Sequence, residues 1–485
     1  MNGNMATWLA AILPEIGLFV LAVVILVFDL VWQDQRCRNL GWMTALGVLA
    51  VAGLSLVFAR PAPDEARLMW GGMLRLDQAG FVFRLVFLAG AGITALFAMQ
   101  TEGLCEHGEF YVLLLVSALG MTLMVSAADL IMLFLSIETA TIPLYVLAGF
   151  LTRDQKSVEA GVKYLLYGAF ASALMLYGFS LLYGFSGVTQ LYQMANLLQS
   201  GQIPPFALTV AALLVLAGLG FKISAAPFHF WAPDVYEGAP TPAVGFISTA
   251  SKAAGFGVLM RLLVAVFPGL APDRSAWVAA LAATSMVIGN FLALSQRNIK
   301  RLLAYSSIAQ AGYMLIGVAA GSAFGYRAVI YYLIGYLVTN LAAFGVVSAV
   351  GNALQSDEIS AYAGLSRRSP GLAYILLVVL LSLGGIPPLA GFIGKLLVFG
   401  AAIEAGLLWL AILGAITSVV ALYYYLTVLR VIFQPDTLED ERPVRIAWSW
   451  KLALTVCTLA IVLLGVWIAP VLEWSGRAAT ALLFY

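Results

Sequence analysis

The chain has 485 residues, of which 62% are hydrophobic and 10% charged, with a formal net charge of +1. Soluble domains carry about 25% charged residues, so this composition excludes a soluble enzyme and describes an all-α polytopic membrane protein with no separate soluble domain. The near-neutral balance argues against a nucleic-acid partner, which needs a basic surface, and three scattered cysteines (Cys37, Cys105, Cys457) without a CxxC run, with two distant histidines (His107, His229), argue against iron–sulfur, zinc or haem sites.

A spanning helix needs about 20 mostly apolar residues, and 14 segments qualify. The first, 7–31, is too long for a signal-peptide core and lacks a basic start, so it reads as a retained helix. Spans 40–59 and 78–99 follow. Between them, residues 66–77 alternate apolar and other residues around Gly71-Gly72, which predicts a small external hairpin. Segments 110–126 and 128–150 are together too long for one helix. Ser126-Ala127-Ala128-Asp129 offers the turn, with Asp129 as N-cap.

The next spans are 158–185, 205–229, 241–267, 275–295, 302–320 and 326–351. The segment 370–403 is too long for one straight span, and its Gly384-Gly385-Ile386-Pro387-Pro388 must interrupt the backbone ladder. The series closes with 406–433 and 450–473.

Lysine and arginine in the loops set orientation. Loops after odd-numbered spans hold Arg36, Arg38, Arg153, Lys156, Arg297, Lys300, Arg301, Arg367, Arg368, Arg430, Arg442, Arg445 and Lys451. The opposite side holds Arg60, Arg67, Arg75, Arg274, Arg327 and Arg477. The bias places both termini on the non-cytoplasmic side, although three arginines in 60–75 blur it.

Four charged residues lie inside apolar spans: Glu138, Lys222, Lys252 and Lys395. A charge at the bilayer centre costs roughly 2.5–3.5 kcal/mol on insertion scales, so each marks a functional site by default. Lysine changes protonation readily when buried, which points to proton handling rather than an open pore. Lys222 precedes the break at Pro227 by about one turn, and Lys395 follows the break at Pro387-Pro388 by about two. Irregular backbone in a membrane is tolerated only inside protein or against a wet cavity. Two interrupted helices at corresponding places in two halves point to a transport site, with spans four to eight and nine to thirteen as the repeats. Glu138 needs a partner, and Lys222 is the natural one. Separating such a pair eases proton release from the lysine, which makes a two-state switch.

Blander readings stand beside these. Glu138 could lock two helices. Lys222 and Lys395 could satisfy carbonyls freed by the proline breaks. Lys252, near its helix start, could snorkel, and His229 could be merely interfacial. Glu159 and Lys163 form an i,i+4 pair in the favourable order, structural first and a feed to the channel second. Arg261, Glu404 and Glu15 read as snorkelling or capping residues near span ends. Gly90-Ala91-Gly92 starts no nucleotide fingerprint and reads as a close helix contact. Tyr423, Tyr424 and Tyr425 read as core or interface, one of them a candidate water ligand.

Several segments resemble the N-type membrane subunits of bacterial NADH:quinone oxidoreductase (respiratory complex I). They are FKISAAPFHFWAPDVYEGAPTP at 221–242, SKAAGF at 251–256, RLLAYSSIAQ at 301–310 and SLGGIPPLAGFIGK at 382–395. The Pro-x-His-x-Trp-x-Pro-Asp pattern is shared across the wider antiporter-like family. The YEGAPTP and SKAAGF stretches favour the N type over its M and L relatives, which carry histidine where Lys252 stands.

The resemblance implies about 14 helices, two inverted five-helix repeats with helices 7 and 12 broken, and a hydrophilic axis along the membrane plane. It divides the chain into 1–109, 110–267, 268–433 and 434–485. It assigns Glu138 to the fifth-helix glutamate, Lys222 to the seventh-helix lysine, Lys252 to the eighth-helix bridge and Lys395 to the twelfth-helix residue facing the outer exit. His229 resembles the histidine between Lys222 and the cytoplasmic side. Gln310 departs from the family, whose members often place histidine there, and glutamine does not take up a proton at physiological pH.

The implied activity is redox-driven proton translocation in a bacterial inner membrane. NADH, FMN, iron–sulfur clusters and quinone are expected in other subunits. The implied partners are M-type and K/J-type neighbours, the lateral helix of the L subunit, lipid, protons and channel water. A secondary cation/proton antiporter and a passive scaffold remain the alternatives.

Overall fold

A computed structural model describes residues 5–32, 36–62, 65–198, 204–267, 271–434 and 443–483. Arg442 lies outside the described residues, as do the side chains of Arg36, Cys37, Arg38 and Arg274.

Among the described residues, 13 helices are long and apolar enough to cross a membrane. The first two are α1 (Met5–Val31) and α2 (Arg36–Phe58), followed by the strands β1 (Arg67–Met69) and β2 (Leu74–Leu76) and the helix α3 (Gln78–Ala98). The strands pair antiparallel, Leu68 opposite Arg75, as the predicted hairpin. Next come α4 (Gly108–Ser126), α5 (Leu130–Ala148), α6 (Gln155–Ser186) and a short α7 (Leu191–Leu198). The predicted split between α4 and α5 is present. The Asp129 carboxylate accepts from the Ile131 and Met132 amides and so starts α5.

The seventh crossing is α8 (Pro205–Lys222), a non-helical link and the short α9 (Trp231–Gly238). The eighth is continuous from 241 to 265, built from α10 (Thr241–Phe246), a π-turn (Ile247–Ser251) and α11 (Lys252–Ala265). Then follow α12 (Ala271–Ala293), α13 (Ile299–Ala320), α14 (Ala323–Leu354) and one turn of α15 (Leu365–Arg368). The twelfth crossing is two half-helices, α16 (Pro370–Gly384) and α17 (Ala390–Glu404), as the proline pair required. The chain closes with α18 (Leu408–Phe433), α19 (Trp448–Val466) and α20 (Ala469–Leu483).

Successive crossings place alternate loops at opposite ends. At one end, the hairpin meets the α4–α5 turn, because the Ala128 amide donates to the Met73 carbonyl. At the other, the Ile299 and Ile359 amides cross-link the α12–α13 and α14–α15 loops. Ser369 is bonded to both backbone groups of Val444. The helices α10, α11, α13 and α14 are enclosed by others, while α1, α2, α6, α18 and α19 turn wide apolar faces outward, as lipid-facing helices do.

Close packing rests on small residues. A Cβ at Gly120 would lie 2.3 Å from the Ala140 amide nitrogen, so α4 and α5 touch there. Gly120→Ala is expected to push the pair apart and cost about 1–3 kcal/mol. A denaturation midpoint in detergent equal to that of the parent chain would contradict this. Gly90 makes a similar approach, to Ala250.

Two charges expected to snorkel are buried instead. Glu15 accepts from Arg84 at 2.8 and 2.9 Å, and Arg84 also reaches Ser55, so one guanidinium joins α1, α2 and α3. Arg261 donates twice to Asp77, at 2.8 and 3.1 Å, and once to the Tyr192 hydroxyl. A lone charge in hydrocarbon is costly, so each found a partner from a distant helix. Glu404 does end its helix, exposed.

Candidate functional site

All three in-span lysines are buried: Lys222 is 7% exposed, Lys252 1% and Lys395 5%. Lys222 is the last residue of α8. Beyond it the backbone turns through Ser224, at φ +59°, to the cis Ala226–Pro227 bond. The helix therefore ends earlier than the position of Pro227 suggests. The freed groups of the link are satisfied from α12: the Ala226 amide donates to Ser285, and Thr284 donates to the Ala226 carbonyl. The Trp231 indole closes back on the Phe221 carbonyl.

Lys222 Nζ donates to Thr141 Oγ1 at 3.0 Å. Glu138, one turn before Thr141 on α5, is half-buried and accepts from Ser172 of α6 at 2.7 Å. The expected direct Glu138–Lys222 ion pair is thus replaced by two separate contacts, because Thr141 stands on the face of α5 nearer to Lys222. A cavity of about 10 Å³, lined by Thr141, Tyr145, Ser172 and Lys222, lies between them. That is near the lower limit for one water molecule.

Lys252 does not snorkel. It emerges directly after the π-turn and donates to Ser307 Oγ at 2.5 Å and to the Ser307 carbonyl at 2.7 Å. A π-turn widens a helix by one residue and is frequent at functional sites. Lys222 and Lys252 are neighbours through Gly255: a Cβ there would meet Lys222 Cγ at 3.1 Å. Ser224 and Ser251, which adjoin the two lysines in sequence, are buried beside the Tyr236 and Tyr164 hydroxyls respectively, and His229 Nδ1 is buried without a close hydrogen bond among the described residues. His229 is buried in the chain and stacks on Phe230 rather than standing at its surface.

Lys395 donates to the Gly384 carbonyl at 3.1 Å, a group freed where α16 ends. The contact that the bland reading required is therefore made. Lys395 also lies 4.6 Å from the Tyr313 ring centroid, a cation–π distance. Gly385, at φ +88°, is the turn between the half-helices, a conformation that suits glycine.

A hydrogen-bonded lattice fills the space between Lys252 and Lys395. Gln310 accepts from Tyr332 at 2.5 Å and donates to the Leu383 carbonyl. Ser306 bonds to Tyr425 at 2.5 Å, and Tyr424 bonds through Asn290 to Tyr313. Tyr424 and Tyr425 are buried, whereas Tyr423 faces outward. Gln310, Tyr424 and Tyr425 were singled out in the sequence, but Asn290, Tyr313 and Tyr332 escaped it because they are neutral. For Tyr332 a signal existed in spacing: Tyr332, Tyr336 and Asn340 recur every four residues on one face of an apolar helix.

Lys163 belongs to a surface network at the end bearing most lysine and arginine. It bonds Glu159, the predicted partner, at 2.7 Å and Asp234 at 2.6 Å. Arg301 bridges Asp234 and Glu237, each at 2.9 Å, and Lys156 reaches Glu237. The group lines an open cleft of about 180 Å³. Burial acts to raise the Asp234 pKa, but hydrogen bonds from Lys163 and Arg301 prevail and hold it below the ordinary carboxylate value. The network ties α6, α9 and α13 together. Among the described residues, no group of three or more His, Cys, Asp or Glu is placed to hold a metal.

Residues 127–421 match the family model described as NADH:quinone oxidoreductase/Mrp antiporter, TM. The chain is 46% identical to NADH-quinone oxidoreductase subunit N of Heliobacterium modesticaldum over 411 residues, covering 84% of this chain and 86% of that one. It is similar, at 35% identity and a TM-score of 0.79, to a chain of respiratory complex I from Thermus thermophilus, covering 95% of this chain and 98% of that one. A chain of the Mrp complex from Dietzia shares the fold, with a TM-score of 0.87 at 21% identity and 98% coverage of both.

Proposed function

The chain belongs to the family of NADH-quinone oxidoreductase N subunits, antiporter-like membrane proteins, and from that premise we propose the route by which it moves protons. It is a proton-translocating membrane-arm subunit of a redox-driven complex, and electron transfer takes place in other subunits. Those subunits hold the NADH, flavin, iron–sulfur and quinone sites.

The observation that carries the route is the row of three buried lysines on interrupted or widened helices. Each has a neutral oxygen acceptor, and none has a carboxylate within 4 Å among the described residues. Protons enter at the basic, cytoplasmic end, past the Lys163 network and His229. They pass from Lys222 through water near Ser224 and Ser251 to Lys252. The lattice around Gln310 and Tyr425 takes them on to Lys395 and the opposite side.

Glu138 acts as the switch. Its half-buried position on α5, beside the outward-facing Leu135 and Ile142, suits control by a neighbouring subunit. The K/J-type and M-type subunits and the lateral helix of the L subunit are the proposed neighbours, in a bacterial inner membrane. The repeats are 110–267 and 268–433.

The test is Glu138→Ala and Lys222→Ala in the assembled complex, with protons moved per NADH oxidised measured in inverted vesicles. Both are expected to fall with assembly intact. Normal stoichiometry in either variant refutes the assigned roles.

A further inference from the structure

We propose that Ser172 of α6 is a positioning residue for Glu138: its hydroxyl holds the carboxylate away from Lys222, and losing that one bond lets acid and amine meet. The inference rests on the reading above, in which Glu138 is the switch.

The two groups are anchored separately. Glu138 accepts from Ser172 Oγ at 2.7 Å, and Lys222 Nζ donates to Thr141 Oγ1 at 3.0 Å. The donors are fixed at both contacts. An ionised carboxylate only accepts, so the proton in the first bond is the serine's. Thr141 gives its own proton to the Ile137 carbonyl one turn back, which leaves its lone pairs for the amine. Thr141 thus has no proton to offer Glu138.

The separation is narrow. The cavity of about 10 Å³ is lined by Ser172, which holds the acid, and by Thr141 and Lys222. A half-buried carboxylate stripped of its donor is costly and takes the nearest replacement. Tyr145 also lines the cavity, but its ring stands edge-on to Tyr164, 4.8 Å between centroids, and its hydroxyl sits against Gly168, where a Cβ would not fit. A tyrosine seated in this way does not follow the carboxylate. The lysine, on a flexible four-carbon stem, does.

The latch belongs to α6. Glu138 and Thr141 share α5 and move together, so a shift of α5 alone leaves their spacing unchanged. Ser172 stands on a different helix. That helix turns Leu166, Phe170 and Tyr177 outward, and nearer its cytoplasmic end it is tied to α9 by the Lys163–Asp234 bridge.

The test reads the contact directly. Dicyclohexylcarbodiimide is apolar enough to reach a half-buried carboxylate. It activates the acid, and an amine in contact displaces the urea and leaves an amide bond, which mass spectrometry finds as a joined pair of peptides. The intact complex in inverted vesicles is treated, and Lys300–Asp357, paired at 2.9 Å, serves as the internal standard. Relative to that standard, Ser172→Ala and Ser172→Val are expected to raise the Glu138–Lys222 link about tenfold, the scale of one hydrogen bond to a charged group. Ser172→Thr has the shape of the valine variant and keeps the hydroxyl, so its link should stay at the parent level.

An unchanged link in assembled Ser172→Ala overturns the inference. So does a raised link in Ser172→Thr, or a parent link already as strong as the standard. If Ser172→Val fails to assemble, the alanine and threonine variants decide between them. Protons moved per NADH oxidised are measured in untreated vesicles of the same preparations, and a raised link with reduced stoichiometry is the expected result. A raised link with parent stoichiometry keeps the latch and removes Glu138 as the switch. Reduced stoichiometry with an unchanged link removes the latch and leaves the switch.

Discussion

Lys252→Met is expected to slow proton passage through this chain by about 10²-fold or more, the scale on which a positioned acid–base group acts. Methionine matches lysine in length and fills the same buried space, so the helix should assemble. What disappears is the amine that bonds both oxygens of Ser307. Lys252→Arg makes the sharper comparison. It keeps the charge but does not release a proton at physiological pH, so it too should fail to pump. The measurement is vesicle acidification at matched amounts of assembled complex and matched NADH oxidation. If Lys252→Arg pumps as the parent does, the residue supplies charge and not proton transfer. If Lys252→Met does so, the lysine row is not the path.

The largest loss of stability is expected from Asp77→Ala. Asp77 is fully buried and receives Arg75 at 3.2 Å and Arg261 at 2.8 Å. It also caps α3 by accepting from the Gly80 amide at 2.8 Å. The alanine variant would leave two buried guanidiniums without their counter-ion. Breaking one such pair costs about 3–5 kcal/mol, and losing the cap about 1 kcal/mol more. Because the cluster joins the hairpin, α3 and α11, and Arg75 also reaches the Ala481 carbonyl of α20, the chain should fail to accumulate in membranes. Asp77→Asn retains the cap and removes the charge, so comparing the two separates the terms. Normal accumulation and heat resistance of Asp77→Ala would show that the arginines are satisfied by other groups.

These two residues mark the limits of reading the sequence. Lys252 was legible because a lysine in an apolar span is conspicuous whatever surrounds it. Asp77 was not singled out, because it stands at a helix start where acidic caps are common. Arg261, its partner 184 positions away, read as a snorkelling side chain. Glu15 and Arg84 were illegible for the same reason. The Asp234–Arg301 bridge was equally hidden, although both residues lie within segments that carry the resemblance.

The spans, the split at Asp129, the hairpin and both helix breaks followed from the order of residues alone. Each depends on local physics: the length of an apolar run, the oxygen of a cap, the missing donor of proline. That Lys222, Lys252 and Lys395 are enclosed within the protein followed as well, since the cost of a charge in lipid does not depend on its neighbours. Which group each charge touches was decided only when the helices packed. Thr141 rather than Glu138 meets Lys222, and Ser307 receives Lys252, because hydrogen-bond partners are chosen by distances of a few ångströms between segments far apart in the chain.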